Sequence, residues 1–138
     1  YLGLDFLPEF IATANIKFKN YSDAEFIEFN VNQDDLPKGY DFILMSGIFN
    51  NRIVKNQEFL FDSITKLFKK CKRGLVFNSL STYVEYQEEH LYYSDPLFVF
   101  DFCKKNITPF VKLKHDYLSK PDGFPYEYTM FLSKDVTF

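Results

Sequence analysis

The chain has no tryptophan, only two cysteines, two histidines and five glycines in 138 residues. Cys71 and Cys103 stand far apart and outside any Cys-x-x-Cys spacing, which excludes a disulfide framework and a zinc ribbon. Their scarcity fits a reducing compartment, and a cytoplasmic location is expected. No spacing of His, Cys, Asp or Glu suits a metal ion, so no metal is expected. Apolar runs fall well short of the roughly 20 residues that span a bilayer, and no secretory signal is visible, so no membrane partner is expected. A strong charge of one sign is also missing. Formal net charge is −3, with Lys and Arg spread along the chain. The one basic cluster, Lys69, Lys70, Lys72 and Arg73, falls where a helix should end and where cations complement the helix dipole. A nucleic-acid partner is therefore not expected.

What is present is aromatic. Eighteen Phe and ten Tyr supply a core without Trp, and a share of them can form a flat pocket for a ring-shaped ligand. The length suits a single domain over residues 1–138. Tyr1–Asp5 reads as a short buried strand ending on an acid, and Pro8 opens a helix with apolar positions at Leu7, Ile11, Ala14 and Phe18, ending near Lys19. Ala24–Asn30 alternates as a strand, and Asn32–Gly39 is a polar loop. Tyr40–Met45 is continuously apolar, as in a parallel strand buried on both faces. From Gln57 to Cys71 the stripe Leu60, Ile64, Leu67, Phe68 and Cys71 marks one helical face, and Gly74 follows as a stop. Leu75–Leu80 is a further strand. Asp95-Pro96 caps a helix to Lys105, and Phe110–Leu118 and Tyr126–Ser133 form a hairpin across a Pro- and Gly-containing connector. Strands alternating with helices predict an α/β fold, a mostly parallel sheet with helices on both faces and a C-terminal antiparallel hairpin.

Four segments carry a family resemblance: Gly3–Phe6 with Pro8–Ile11, Ala24–Val31, Tyr40–Leu44 continuing to Ser46–Asn50, and Arg73–Asn78. In order and separation they resemble the second to fifth strands of the class I S-adenosylmethionine-dependent methyltransferases, which are Rossmann-like. SGIFN, GLVFN and a His-Asp-Tyr before the hairpin are similar to a bacterial subgroup of that family. The resemblance implies S-adenosylmethionine as cofactor and methyl transfer to a small-molecule acceptor, sugar-like among the candidates. It lacks the family's first strand and glycine-rich loop. Since the chain begins at Tyr1 and not at Met, a longer native protein with that segment at its N-terminus is expected.

The resemblance also assigns roles. Asp5 would bind the ribose hydroxyls, with a helix-capping acid as the alternative, and Phe6 would lie against adenine or in the core. Asn30, where the family often has Asp, and Val31 would meet the adenine, while Ser46 and Gly47 would face the methionine portion. Phe49, Asn50, Asn78 and His90 are candidates for the acceptor. For the general base the sequence offers His115 and Tyr117, which as alternate residues of a strand would share one side, whereas Asp116 would not, with His90 as the other candidate. Two other readings stay open: a non-catalytic Rossmann-like module that binds a nucleotide or a protein partner, and a sheet serving another nucleotide cofactor such as NAD. Homo-oligomer formation is left open as well.

Overall fold

The structure is a computed structural model and describes residues 1–136. Two compact units divide the chain, the first covering Tyr1–Leu36 and the second beginning at Pro37.

In the first unit, strands β1 (Leu2–Asp5) and β2 (Glu25–Glu28) pair in parallel, with Asp5 opposite Glu28. Helix α1 (Pro8–Lys17) connects them, with Pro8 in its first turn, where a missing N–H leaves no bond unmade. The expected stripe of Leu7, Ile11, Ala14 and Phe18 is its least exposed side, yet α1 buries no residue completely. Phe18 stacks on Phe26 at 5.4 Å between ring centroids. Gly3 is required on β1, because a Cβ there would stand 2.4 Å from the Phe26 ring.

The second unit holds strands β3 (Phe42–Met45), β4 (Gly74–Ser81), β5 (Tyr93–Ser94), β6 (Val111–Lys114) and β7 (Glu127–Ser133), with helices α2 (Asn56–Lys70) and α3 (Pro96–Asn106). Sheet order is β3-β4-β7-β6, and β5 extends from the end of β4. The β3–β4 and β4–β5 pairs are parallel, while β4–β7 and β6–β7 are antiparallel. The expected hairpin is therefore present, with its second strand inserted beside β4. Strand β6 is shorter than expected, ending at Lys114, and β5 left no sign in the sequence because two residues carry no periodicity.

Both helices of this unit share one face of its sheet. Successive right-handed crossovers in one direction place them there together, and Phe61 of α2 stacks on Phe102 of α3 at 3.7 Å. That face is the core: Leu75, Phe77, Tyr128, Met130 and Leu132 are fully buried, as are Leu60 and Ile64 of α2 and Cys103 of α3. Alternation turns Leu44, Val76, Thr129 and Phe131 to the other face, where Leu44 is 75% exposed. Asp95 caps α3 as expected, its Oδ1 accepting from the N–H groups of Leu97 at 2.8 Å and Phe98 at 3.3 Å. Among the described residues no helix is long and apolar enough to cross a membrane.

Candidate functional site

Asp5, Phe6, Asn30, Ser46 and Gly47 lie at or just past the carboxyl ends of parallel strands, which is where ligands approach open α/β sheets. In the first unit Asp5 ends β1, and Asn30 lies two residues past β2. The Phe29 N–H donates to the Asp5 carbonyl at 2.8 Å, so this end of the strand pair is closed. Asp5 Oδ1 accepts from the Leu7 N–H at 2.9 Å, a local bond that orients the carboxylate at the start of α1. The bond lies ahead of the helix: Leu7 is the N-cap residue and no side chain caps α1, so the capping alternative is not realised. Asn30 Oδ1 accepts from the Asn32 N–H at 3.0 Å, leaving its amide N–H groups as the ready donors. Phe6 is 68% exposed, so its ring serves no core role.

In the second unit the loop after β3 carries Ser46 to Asn50. Gly47 takes φ +74°, a left-handed conformation that suits glycine, and its N–H donates across to Asn78 Oδ1 at 2.9 Å. Asn78 is tied at both ends, since its Nδ2 donates to Glu127 Oε2 at 3.0 Å. It acts inside the protein as a link, more than as a side chain held ready for a ligand. Asn50 is the opposite case: its Oδ1 is buried and has no hydrogen-bond partner. The Asn50 carbonyl accepts from the Tyr92 N–H at 2.9 Å, fastening the loop to the segment before β5. Ser46 is exposed beside it.

Two sequence expectations need correction. Phe49 does not face an acceptor. It is 2% exposed and meets Phe77 edge-on at 5.8 Å, because the loop folds this ring inward while leaving Ile48 exposed. Nor do His115 and Tyr117 share a side. Strand β6 ends before them, so strand alternation no longer governs their directions. The His115 ring lies against Tyr128, with centroids 6.3 Å apart, and near Tyr83 at 6.0 Å. Tyr117 bonds to Thr129 Oγ1 at 2.8 Å. Tyr128 and Thr129 are neighbours on β7 and point to opposite faces.

The chemistry of the two differs too. Burial pushes the Tyr117 hydroxyl above its ordinary pKa; the bond to Thr129 opposes this, and the Glu127 carboxylate adds to the rise. Tyr117 is therefore a protonated donor at neutral pH and a poor base. His115 Nε2 is buried without a partner. His90 is exposed in a turn whose carbonyl accepts from the Arg52 N–H at 2.9 Å.

Sequence reasoning missed Glu127 and Ser119. Ser119 donates its hydroxyl hydrogen to Glu127 Oε1. Nothing in the local pattern marked Glu127, which reads as an ordinary strand-edge acid. Also missed was a buried chain in which Tyr128 Oη meets Ser94 Oγ at 2.7 Å and Ser94 Oγ meets Ser79 Oγ at 3.1 Å. An open cavity of about 540 Å³ lies nearby, lined by Arg52–Glu58 and by Tyr92. Among the described residues no group of three or more His, Cys, Asp or Glu is placed to hold a metal ion.

A parallel sheet ended by an antiparallel hairpin, with polar loops at its carboxyl rim, is the fold of class I S-adenosylmethionine-dependent methyltransferases. Solved structures of that class match it. Against magnesium protoporphyrin IX methyltransferase of Synechocystis PCC 6803 with bound SAH, the TM-score is 0.73 at 12% identity, covering 97% of this chain and 64% of that one. Against N-methyltransferase NodS of Bradyrhizobium japonicum WM9, in complex with S-adenosyl-L-homocysteine (SAH), it is 0.68 at 16% identity, covering 96% and 65%. The chain thus spans slightly under two thirds of the length of either structure. In sequence it is 31% identical over 140 residues to "Putative methyltransferase Rv1506c" of Mycobacterium tuberculosis, covering 97% of this chain and 78% of that protein. No protein-family model matches the chain. The chain belongs to the class I S-adenosylmethionine-dependent methyltransferase family.

Proposed function

We propose that the protein transfers a methyl group from S-adenosylmethionine to a small-molecule acceptor rich in hydroxyl groups, sugar-like in that respect. The observation that carries this reading is the Asn50 side chain. A buried acceptor atom without a partner is destabilising by about 1–3 kcal/mol, and Oδ1 of Asn50 is such an atom, in the loop at the carboxyl end of β3. A ligand O–H or N–H donor would satisfy it.

Residues of each unit have the chemistry that the cofactor calls for. Asp5 Oδ2 would accept from a ribose hydroxyl, the exposed Phe6 ring would cover the adenine, and Asn30 and Val31 would border it. Ser46 and Gly47 would follow the methionine portion. When bound, the cofactor supplies an electrophilic methyl carbon on a sulfonium, so the protein has mainly to align donor and acceptor, an effect of orientation and proximity. Asn50 would hold the acceptor by a hydroxyl, with His90 at the outer edge. His115 would take the proton that the acceptor loses, through its Nε2, which is buried without a hydrogen-bond partner.

Calorimetry of the full-length protein with S-adenosylhomocysteine and, separately, with NAD tests the reading. Binding of S-adenosylhomocysteine alone is the expected outcome. Binding of NAD alone would reassign the cofactor, and binding of neither would favour a non-catalytic module.

A further inference from the structure

Glu127 opens β7 opposite Leu80, two residues beyond Asn78 on β4. Its side chain is half-buried, and both carboxylate oxygens receive hydrogen bonds from neutral groups: Oε2 from Asn78 Nδ2 and Oε1 from the Ser119 hydroxyl. An asparagine amide is nearly symmetric in shape, so its hydrogen-bond partners decide which end points where. A carboxylate only accepts, so the amide must turn its NH₂ toward Glu127. The carbonyl end is then left facing Gly47, whose backbone N–H only donates. The bond to an ionised acceptor is also the stronger of the two kinds. Within the loop itself, the Asn50 N–H reaches the Gly47 carbonyl at 3.4 Å, a long and weak closure. The Asn78 contact is therefore the firmer hold on Gly47.

We propose that Glu127 is a positioning residue: acting through Asn78, it fixes the Gly47 backbone and so the Ser46–Asn50 loop. The effect of that loop on the cofactor rests on the methyltransferase reading above; the hold on Gly47 does not.

Two readouts on the full-length protein separate these parts. One is hydrogen exchange of the Gly47 amide by NMR, and the other is the dissociation constant for S-adenosylhomocysteine. E127A should speed Gly47 exchange and weaken S-adenosylhomocysteine binding, each roughly tenfold, the scale of losing a hydrogen bond to a charged group. E127Q should stay close to wild type, because the Gln carbonyl still accepts from Asn78. N78D sets a carboxylate against Glu127 and should loosen Gly47. The pair N78D/E127Q should restore it, since Gln donates to Asp and Asp still accepts from Gly47. A purely structural role for either residue predicts no such rescue. The proposal is overturned if E127A leaves Gly47 exchange unchanged, or if N78D/E127Q exchanges as fast as N78D. Should a double variant fail to fold by circular dichroism, the contrast of E127A with E127Q decides. If the wild type binds no S-adenosylhomocysteine, the cofactor reading fails while Gly47 exchange still judges Glu127.

Discussion

The two compact units solve the same local problem with different resources. Each sets polar residues at the carboxyl ends of parallel strands. The unit beginning at Pro37 does so on a fully buried core of Leu75, Phe77, Met130 and Leu132 beneath two helices. The unit of Tyr1–Leu36 has one strand pair, and its helix buries no residue completely. A two-stranded sheet by itself is marginal in water. The candidate residues of each unit reflect the contrast. Asp5 and Asn30 are oriented by bonds to residues two positions away. Gly47, Asn78 and Glu127 are oriented by bonds across 31 and 49 residues of sequence. The first unit's candidates are fixed by local turn chemistry, and the second unit's by its assembled sheet.

Variants can break or sharpen that comparison. The largest effect is expected from Phe77→Ala, which empties a fully buried ring site and should lower stability by roughly 3–5 kcal/mol in urea unfolding; a loss under 1 kcal/mol would mean the second unit is no better packed than the first. Next comes alkaline pH, which should act chiefly on the second unit, where burial raises Cys103, Tyr92, Tyr117 and Tyr128 above their ordinary pKa. Burial pushes the Cys103 thiol up to about 12, from 9.0 when unfolded. Below pH 9 both states keep the proton and nothing is lost. Above it the unfolded chain ionises first, so stability should fall progressively and by pH 12 be down by roughly 4 kcal/mol. A Cys103→Ala variant whose urea midpoint falls equally with pH would remove the thiol as the cause.

Asp5→Ala should weaken S-adenosylhomocysteine binding by roughly 1.5–3 kcal/mol, the value of a hydrogen bond to a carboxylate. Calorimetry showing unchanged affinity would take Asp5 out of the site and leave it as an acid that bonds the Leu7 N–H ahead of α1. The smallest effect is expected from Phe26→Ala, whose half-buried ring stacks on Phe18. It should cost roughly 1–2 kcal/mol, since only part of the ring area leaves water on folding. Amide exchange should rise in β1 and β2 and stay unchanged in β4, and an equal rise in both units would show that they unfold as one.

Much of the fold was legible in the chain because it rests on periodicity. The stripe Leu60, Ile64, Leu67, Phe68 and Cys71 is buried as one face, and Asp95-Pro96 starts a helix with the carboxylate on two N–H groups. Asp5 was legible as a strand-end acid. Phe49 misled, because a large apolar residue in a polar loop looks the same whether it greets a ligand or plugs a core. His115 and Tyr117 misled because the alternation rule was carried past the last strand residue, Lys114.

By itself the sequence determined the order of strands and helices, the terminal hairpin and the family, since these follow from local pattern and from short motifs in order. Only the tertiary structure decided that β7 lies between β4 and β6, that Asn78 holds Gly47, and that Glu127 holds Asn78. A hydrogen bond between residues far apart in the chain leaves no periodic trace, and it exists only once the strands that carry its two ends have been brought side by side.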